Sequence, residues 1–265
     1  MPIEIQLSRL IGSDAAASDL VETLRDDSAS LGLDNAILYY GYPRYRDDDD
    51  ELIAAQLLLM SPNHGVVIFG TLSSARLLTD ETNAAAQAAE SVLALVHSKL
   101  LANKALRSTP VSLKFPVIGR VYAPNLQAKP HSDSGVDYLT SHADIRKLLS
   151  AFTPVQDAVF AQVTASIDGT RSIPRPKKRL LDELPPDSKG ALVAQLEAEL
   201  ARFDIKQREG SVTIITGPQR IRGLAGSGKT IVLTRKAALA HLEDPEASIA
   251  YTFHTKSLYQ QIRRS

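Results

Sequence analysis

Residues 14–31 are rich in alanine, with Leu20, Leu24 and Leu31 on a helical repeat, and they predict a helix. Asn35–Tyr42 (NAILYYGY) is dense in strand formers and predicts a strand. Arg44–Glu51, with Asp47–Asp50 inside it, reads as a charged, exposed link. Leu52–Met60 is apolar, Ser61-Pro62-Asn63-His64-Gly65 has turn chemistry, and Val66–Leu72 is apolar again. Together these predict a hairpin with a five-residue loop. Residues 82–107 carry alanines and leucines at helical spacing with no glycine or proline, so they predict a long helix. Residues 110–123 predict one or two strands broken near Gly119. A loop follows over 124–135, then helices over 141–151 and 154–165.

Residues 168–190 break the pattern. Gly169, Pro174, Pro176, Pro185, Pro186 and Gly190 leave no room for a long regular element. The basic run Arg175, Lys177, Lys178 and Arg179 reads as part of a solvated linker, with phosphate contact as the alternative. Periodicity resumes over 190–203, where Leu192, Leu196, Leu200 and Phe203 share one helical face. The expected organisation is an α/β domain over 1–167, a linker over 168–190 and a second unit over 191–265.

Composition narrows the classes. Hydrophobic residues make up 44% and charged residues 23% of 265, which is globular usage and excludes a fully disordered chain. No apolar run approaches the roughly 18 residues of a membrane span, and the start MPIEIQLSRL lacks the pattern of a secretory signal. With no cysteine, thiolate metal sites and cysteine nucleophiles are excluded, and a cytoplasmic location is expected. Lysine plus arginine equals aspartate plus glutamate, 30 each, but the two signs are segregated. Residues 201–265 hold 11 basic and 5 acidic side chains, while residues 1–200 hold 19 and 25. An acidic body with a basic end predicts two units with different partners, the basic one suited to a polyanion.

One segment carries specific chemistry. Gly223-Leu224-Ala225-Gly226-Ser227-Gly228-Lys229-Thr230 satisfies G-x-x-x-x-G-K-[ST] in full. Gly223, Gly226 and Gly228 allow a tight turn that aims backbone N–H groups, Ser227's among them, at phosphate oxygens. Lys229 is placed to neutralise the β and γ phosphates, and the Thr230 hydroxyl to ligate Mg²⁺. These are the candidate catalytic residues, and the expected cofactors are ATP and Mg²⁺. Residues 229–242 predict the helix that follows, and Ile249–Phe253 a second buried strand, as in half of a βαβ unit. The strand feeding the loop is expected over Gln219–Gly223, although Arg220 and Arg222 are unusual there; Val212–Ile215 is the alternative.

Gly223–Thr230, followed by Ile231-Val232-Leu233, resembles the start of a superfamily-one, UvrD/Rep-like helicase. Gln207, 16 residues before Gly223, resembles that family's adenine-reading glutamine. Tyr251-Thr252-Phe253-His254-Thr255-Lys256-Ser257-Leu258 resembles its next motif. The resemblance implies that Thr255 and Lys256 touch the phosphates of single-stranded DNA, with Phe253 or His254 near a base. It covers about residues 200–265 and implies the start of a RecA-like domain. The family's acidic pair, its arginine fingers and its second motor domain have no counterpart up to Ser265. The chain is therefore expected to be the front of a longer helicase, or to need a partner subunit, and to turn ATP over poorly alone. Duplex DNA and RNA stay open as partners. A different P-loop ATPase stays open as a class.

The order helix, strand, charged link, apolar hairpin, helix, strand over residues 14–123 resembles a restriction-endonuclease-like, PD-(D/E)XK core. That chemistry needs an acid on the first hairpin strand and E-x-K on the second, to hold Mg²⁺ and polarise a water. Here the first strand offers Glu51 and Gln56 around Ala54 and Ala55, and the second places Phe69 and Thr71 where the acid and lysine belong. A degenerate domain without a metal site is expected. Asp47–Glu51 reads as a solvated acidic loop, and His64, His97, His131, His142 and His241 read as ordinary surface or core histidines. A second class also fits: a non-catalytic interaction module whose phosphate loop is a vestige.

Overall fold

The computed structural model describes residues 3–46, 52–74, 80–127, 136–168, 210–213, 217–222, 228–250 and 252. They form a mixed α/β protein whose chain divides into two units, Met1–Arg171 and Ser172–Ser265. Apart from Asp168, the expected linker and the expected 190–203 helix lie outside the described residues.

In chain order the first unit runs β1 (Glu4–Leu7), α1 (Ala15–Asp26), β2 (Ile37–Tyr40), β3 (Arg44–Arg46), β4 (Leu52–Ala54), β5 (Leu57–Ser61), β6 (Gly65–Thr71), α2 (Asp80–Leu101), β7 (Arg107–Thr109), β8 (Ser112–Leu113), β9 (Val117–Tyr122), β10 (Asp137–Leu139), α3 (His142–Ser150) and α4 (Asp157–Ile167). Six strands make one mixed sheet in the order β1-β2-β5-β6-β9-β10. The β2-β5 and β5-β6 pairs are antiparallel; β1-β2, β6-β9 and β9-β10 are parallel. β3-β4 and β7-β8 are small separate ribbons.

The continuous apolar runs of β5 and β6 place them mid-sheet, where every residue of both strands is buried. On one face Leu20 and Leu24 of α1 and Ile145 and Leu149 of α3 pack with Leu57, Leu59, Val67 and Phe69. On the other, Ala86 and Ala89 of α2 pack with Val121, Val136 and Tyr138. Strand alternation sends neighbouring residues Val121 and Tyr122 to these opposite faces. The end of α4 is tied to the sheet by Tyr39 Oη donating to Asp168 Oδ1 at 2.5 Å and Tyr42 Oη donating to the Ile167 carbonyl at 3.0 Å.

Several elements depart from expectation. The apolar stretch from Leu52 is two strands: β4 pairs back on β3, so part of the charged link is itself a strand. The β5-β6 connection has three residues, not five, because Ser61 pairs with Gly65. The long helix ends at Leu101, although alanines and leucines continue. Asn103 caps a separate 3-10 turn, Lys104–Leu106, by accepting from the Ala105 N–H. Gly119 lies inside β9 and does not break it. A Cβ there would stand 3.3 Å from Val136 Cγ2 and 3.4 Å from Leu93 Cδ2, so the glycine lets α2 approach the sheet. β1 and β10, four and three residues long, were not expected from the pattern.

In the second unit α5 (Lys229–Glu243) matches the expected helix. Its flanks differ. Residues 210–212 are helical and 217–222 belong to no regular element, with Arg220 and Arg222 exposed, so neither expected feeding strand is present at the described positions. Val212 and Val232 are buried, and Lys236 Nζ donates to the Thr213 carbonyl at 2.6 Å, which holds this segment against α5. Ile249 and Ala250 are not in a strand, and Ile249 is exposed.

Candidate functional site

The phosphate-loop segment enters the described residues at Gly228. This residue takes the left-handed conformation (φ 70°, ψ 15°) and is the N-cap of α5, which begins at Lys229. An L side chain is strained in that conformation, so the glycine is required by the backbone. A glycine cap brings no side-chain oxygen, and the first turn of α5 holds no acidic residue. The positive end of this helix is therefore not neutralised by a carboxylate of its own. Lys229 and Thr230 are half-buried in that turn. Thr234 Oγ1 donates to the Thr230 carbonyl at 2.9 Å, and the Val232 N–H to the Gly228 carbonyl at 3.1 Å. Gln207, Gly223, Gly226, Ser227, Phe253, His254, Thr255 and Lys256 lie outside the described residues.

The first unit contains a polar cluster around Asp14 at the start of α1. Asp14 caps α1 by accepting from the Ala17 N–H at 2.9 Å through Oδ1. Ser73 Oγ donates to the same oxygen at 2.8 Å. Oδ2 accepts from Thr71 Oγ1 and from Gln56 Nε2, each at 2.6 Å. Gln56 Nε2 also donates to Thr71 Oγ1, and Gln56 Oε1 accepts from the Thr71 N–H at 2.8 Å. Burial by itself would raise the Asp14 pKa. The donors Thr71, Ala17, Ser73 and Gln56 outweigh it and hold the carboxyl below its ordinary range. Four donors on two oxygens leave Asp14 little capacity to ligate a cation. Gln56 and Thr71 are here parts of a hydrogen-bonded lock, and Phe69 is buried in the hydrophobic core. Glu51 lies outside the described residues.

No protein-family model, curated protein or solved structure matches this chain.

A second cluster borders the first. Asp19 Oδ2 accepts from Tyr122 Oη and lies 2.9 Å from His142 Nε2, which is also 3.2 Å from Thr23 Oγ1. The His142 and Tyr122 rings stack with centroids 6.4 Å apart. Burial would raise the Asp19 pKa, but the bonds from Tyr122 and His142 lower it; Tyr122 is pushed up, by burial first and then by Asp19. The cluster lines a cavity of about 460 Å³ at the ends of β9 and β10 and the start of α3. Sequence reasoning left His142 as an ordinary histidine and did not single out Asp14, Asp19 or Tyr122. Asp19 is 103 residues from Tyr122 and 123 from His142, and no local pattern links them. Among the described residues no group of three His, Asp or Glu is placed to hold a metal ion. No described helix is long and apolar enough to cross a membrane.

Proposed function

We propose that the chain binds ATP with Mg²⁺ through Gly223–Thr230 and is the front end of a superfamily-one, UvrD/Rep-like nucleic-acid motor. The observation that carries this reading is the left-handed Gly228 leading directly into α5 at Lys229, with no carboxylate in the first turn. A helix start of that kind favours an anion, and the sequence supplies the phosphate-binding loop ahead of it. In this reading Gly226, Ser227 and Gly228 present backbone N–H groups to phosphate oxygens. Lys229 neutralises the β and γ phosphates, and Thr230, one residue further into the turn, offers its hydroxyl to Mg²⁺. The metal supplies charge neutralisation at the phosphates. Gln207 reads adenine, and Thr255 and Lys256 hold single-stranded nucleic acid, DNA in the first instance. Catalytic turnover belongs to the remainder of the motor or to a partner subunit that supplies the acidic pair and arginine fingers.

The first unit fits the front domain of such a motor. The succession α1, β2, β5, β6, α2, β9, with those strands adjacent in the sheet, supports the resemblance to a restriction-endonuclease-like core. With Gln56 and Thr71 bound to Asp14, the unit acts in positioning or binding and not in cleavage.

Lys229→Ala is the deciding variant. ATP binding measured by calorimetry on the full chain weakens at least tenfold, about 1.4 kcal/mol, while the circular dichroism of the chain is unchanged. Undiminished ATP binding rejects the assignment. The irregular backbone at 217–222 and 249–250 favours one second reading, an interaction module with a vestigial loop. In that case the parent chain already fails to bind ATP.

A further inference from the structure

The ribbon of β7 and β8 belongs to the first unit and is separate from the phosphate loop. It lies in a stretch of unusual charge. Between Glu90 and Asp133 the sequence has six lysines and arginines and no acidic residue. Residues 1–171 as a whole carry 20 aspartates and glutamates against 14 lysines and arginines. Three of the six cations, Lys104, Arg107 and Lys114, sit at the root of the ribbon. Lys104 and Lys114 are exposed, and Arg107 is half-buried. Lys114 Nζ donates to the Ala105 carbonyl at 2.9 Å, and Arg107 Nε donates to the Leu101 carbonyl. Backbone carbonyls thus fix both cations in place, and each has further N–H donors beyond that bond.

The ribbon is anchored at one end and bare at the other. Leu106 and Phe115, just outside its two strands, are buried, and the Lys114 N–H donates to the Leu106 carbonyl at 2.9 Å. Arg107 pairs with Leu113 and Thr109 with Ser112. Ser108 Oγ donates to the Ser112 and Leu113 carbonyls at 3.2 and 3.1 Å, which ties the strands together. Pro110 and Val111 join them, and the proline ring fixes φ at the tip. Residues 108–112 are all exposed, with Val111 at 75%.

A stiff arm with an apolar tip and cations at its root fits a partner with a cleft rimmed by negative charge. Duplex DNA has that form. Phosphates border each groove, and the floor of the major groove carries base edges and thymine methyl groups. That groove is about 12 Å wide and admits a two-stranded ribbon, whose strands lie about 4.8 Å apart. An acidic protein surface is a poorer match, because a protein interface has an apolar centre and Val111 is the one large apolar side chain that the ribbon exposes. We propose that the β7-β8 ribbon binds duplex DNA, with Val111 entering the major groove and Lys104, Arg107 and Lys114 at the flanking phosphates. The phosphate loop has no part in this contact.

The test uses the full chain and three probes: a mixed-sequence DNA duplex of about 20 base pairs, two helical turns, one of its strands alone, and poly-L-glutamate. Backbone amide shifts are followed by NMR. The duplex is expected to give saturable shifts at Lys104, Ser108, Val111 and Ser112. The single strand needs at least tenfold higher concentration to move them, and poly-L-glutamate leaves them in place. Three phosphate contacts predict that the apparent affinity at these positions falls with salt at a log–log slope of about −2.7. Lys104→Glu, at an exposed position, raises the duplex concentration needed to move Val111 at least tenfold. Val111→Asp, at the bare tip, abolishes the shifts of Ser108 and Ser112. Both leave the circular dichroism unchanged. Lys229→Ala and Lys256→Ala leave the ribbon shifts intact, so failure of the ATP-binding reading and failure of this one are told apart. Duplex shifts that bypass the ribbon overturn the proposal, as does an equal response to the single strand. An equal response to poly-L-glutamate also overturns it, because the ribbon is then a site for an acidic protein. So does either ribbon variant binding the duplex like the parent.

Discussion

Asp14 accepts from four donors, Ala17 N–H, Ser73, Thr71 and Gln56, and its loss has a calculable consequence. Replacement by alanine removes a helix cap, worth about 1 kcal/mol. It also strands donors of Gln56, Thr71 and Ser73, at about 1–3 kcal/mol for a buried group left unpaired. Asp14→Ala is expected to lower the unfolding free energy of the first unit by roughly 2–4 kcal/mol in a urea titration. Because the folded carboxyl is held below its ordinary range, its contribution is complete above about pH 4 and is lost as the pH falls through the folded value. His64 titrates in the other window. It is 5% exposed, bonded through Nδ1 to Ser61 Oγ at 2.8 Å and set edge-on to Phe152, and burial lowers its pKa. The unfolded chain therefore takes up a proton at this site before the folded one does. Stability is expected to decline as the pH falls below about 6.5, and a His64→Asn variant to lose that part of the decline. Thermal midpoints between pH 7.5 and 5 measure the difference.

At the scale of the element, glycine positions decide two packing arrangements. Gly119 sits mid-strand in β9 under α2, where a Cβ already presses on Val136 and Leu93. Gly119→Val adds two further methyl groups. It is expected to destabilise the first unit by about 1–3 kcal/mol in urea, with Gly119→Ala intermediate. Gly228 has a different task, since it turns the backbone into α5. The helices themselves follow from the sequence where the repeat is clean: α5 lies close to its expected range, and α2 begins near its expected start but stops short of its expected end. Their ends were harder to read, because the end of α2 depends on an Asn103 cap and not on apolar spacing. Short strands were the hardest. β1 and β10 owe their existence to the neighbours they pair with, β2 and β9.

For the whole molecule, the division into two units has a direct consequence. The first unit contains a six-stranded sheet with packed helices on both faces, so it meets the requirement of an independent core. A chain of residues 1–171 is expected to unfold in one transition. Near- and far-ultraviolet circular dichroism should give the same midpoint, and ATP should leave that midpoint unchanged. A broad or probe-dependent transition would show that the unit needs the remainder of the chain.

The phosphate-loop motif could be read directly because its chemistry is local. Eight consecutive residues supply the glycines, the lysine and the hydroxyl, and a clean helical repeat follows them. The α/β character of the first unit was legible for the same reason, since apolar periodicity acts over a few residues. The Asp14 lock and the Asp19 cavity were not legible. Asp14 meets Gln56 and Thr71 across 42 and 57 residues, and His142 reaches Asp19 from the far end of the sheet. Each of these side chains taken alone is an ordinary polar residue. Only the pairing of β5 with β6, and the parallel placement of β9 and β10 beside the start of α1, bring them within hydrogen-bond distance. The sequence by itself thus determined the G-x-x-x-x-G-K-[ST] motif and the α/β character of the first unit. The tertiary structure decided which carboxylate is closed by its neighbours, because that depends on donors brought together from distant parts of the chain.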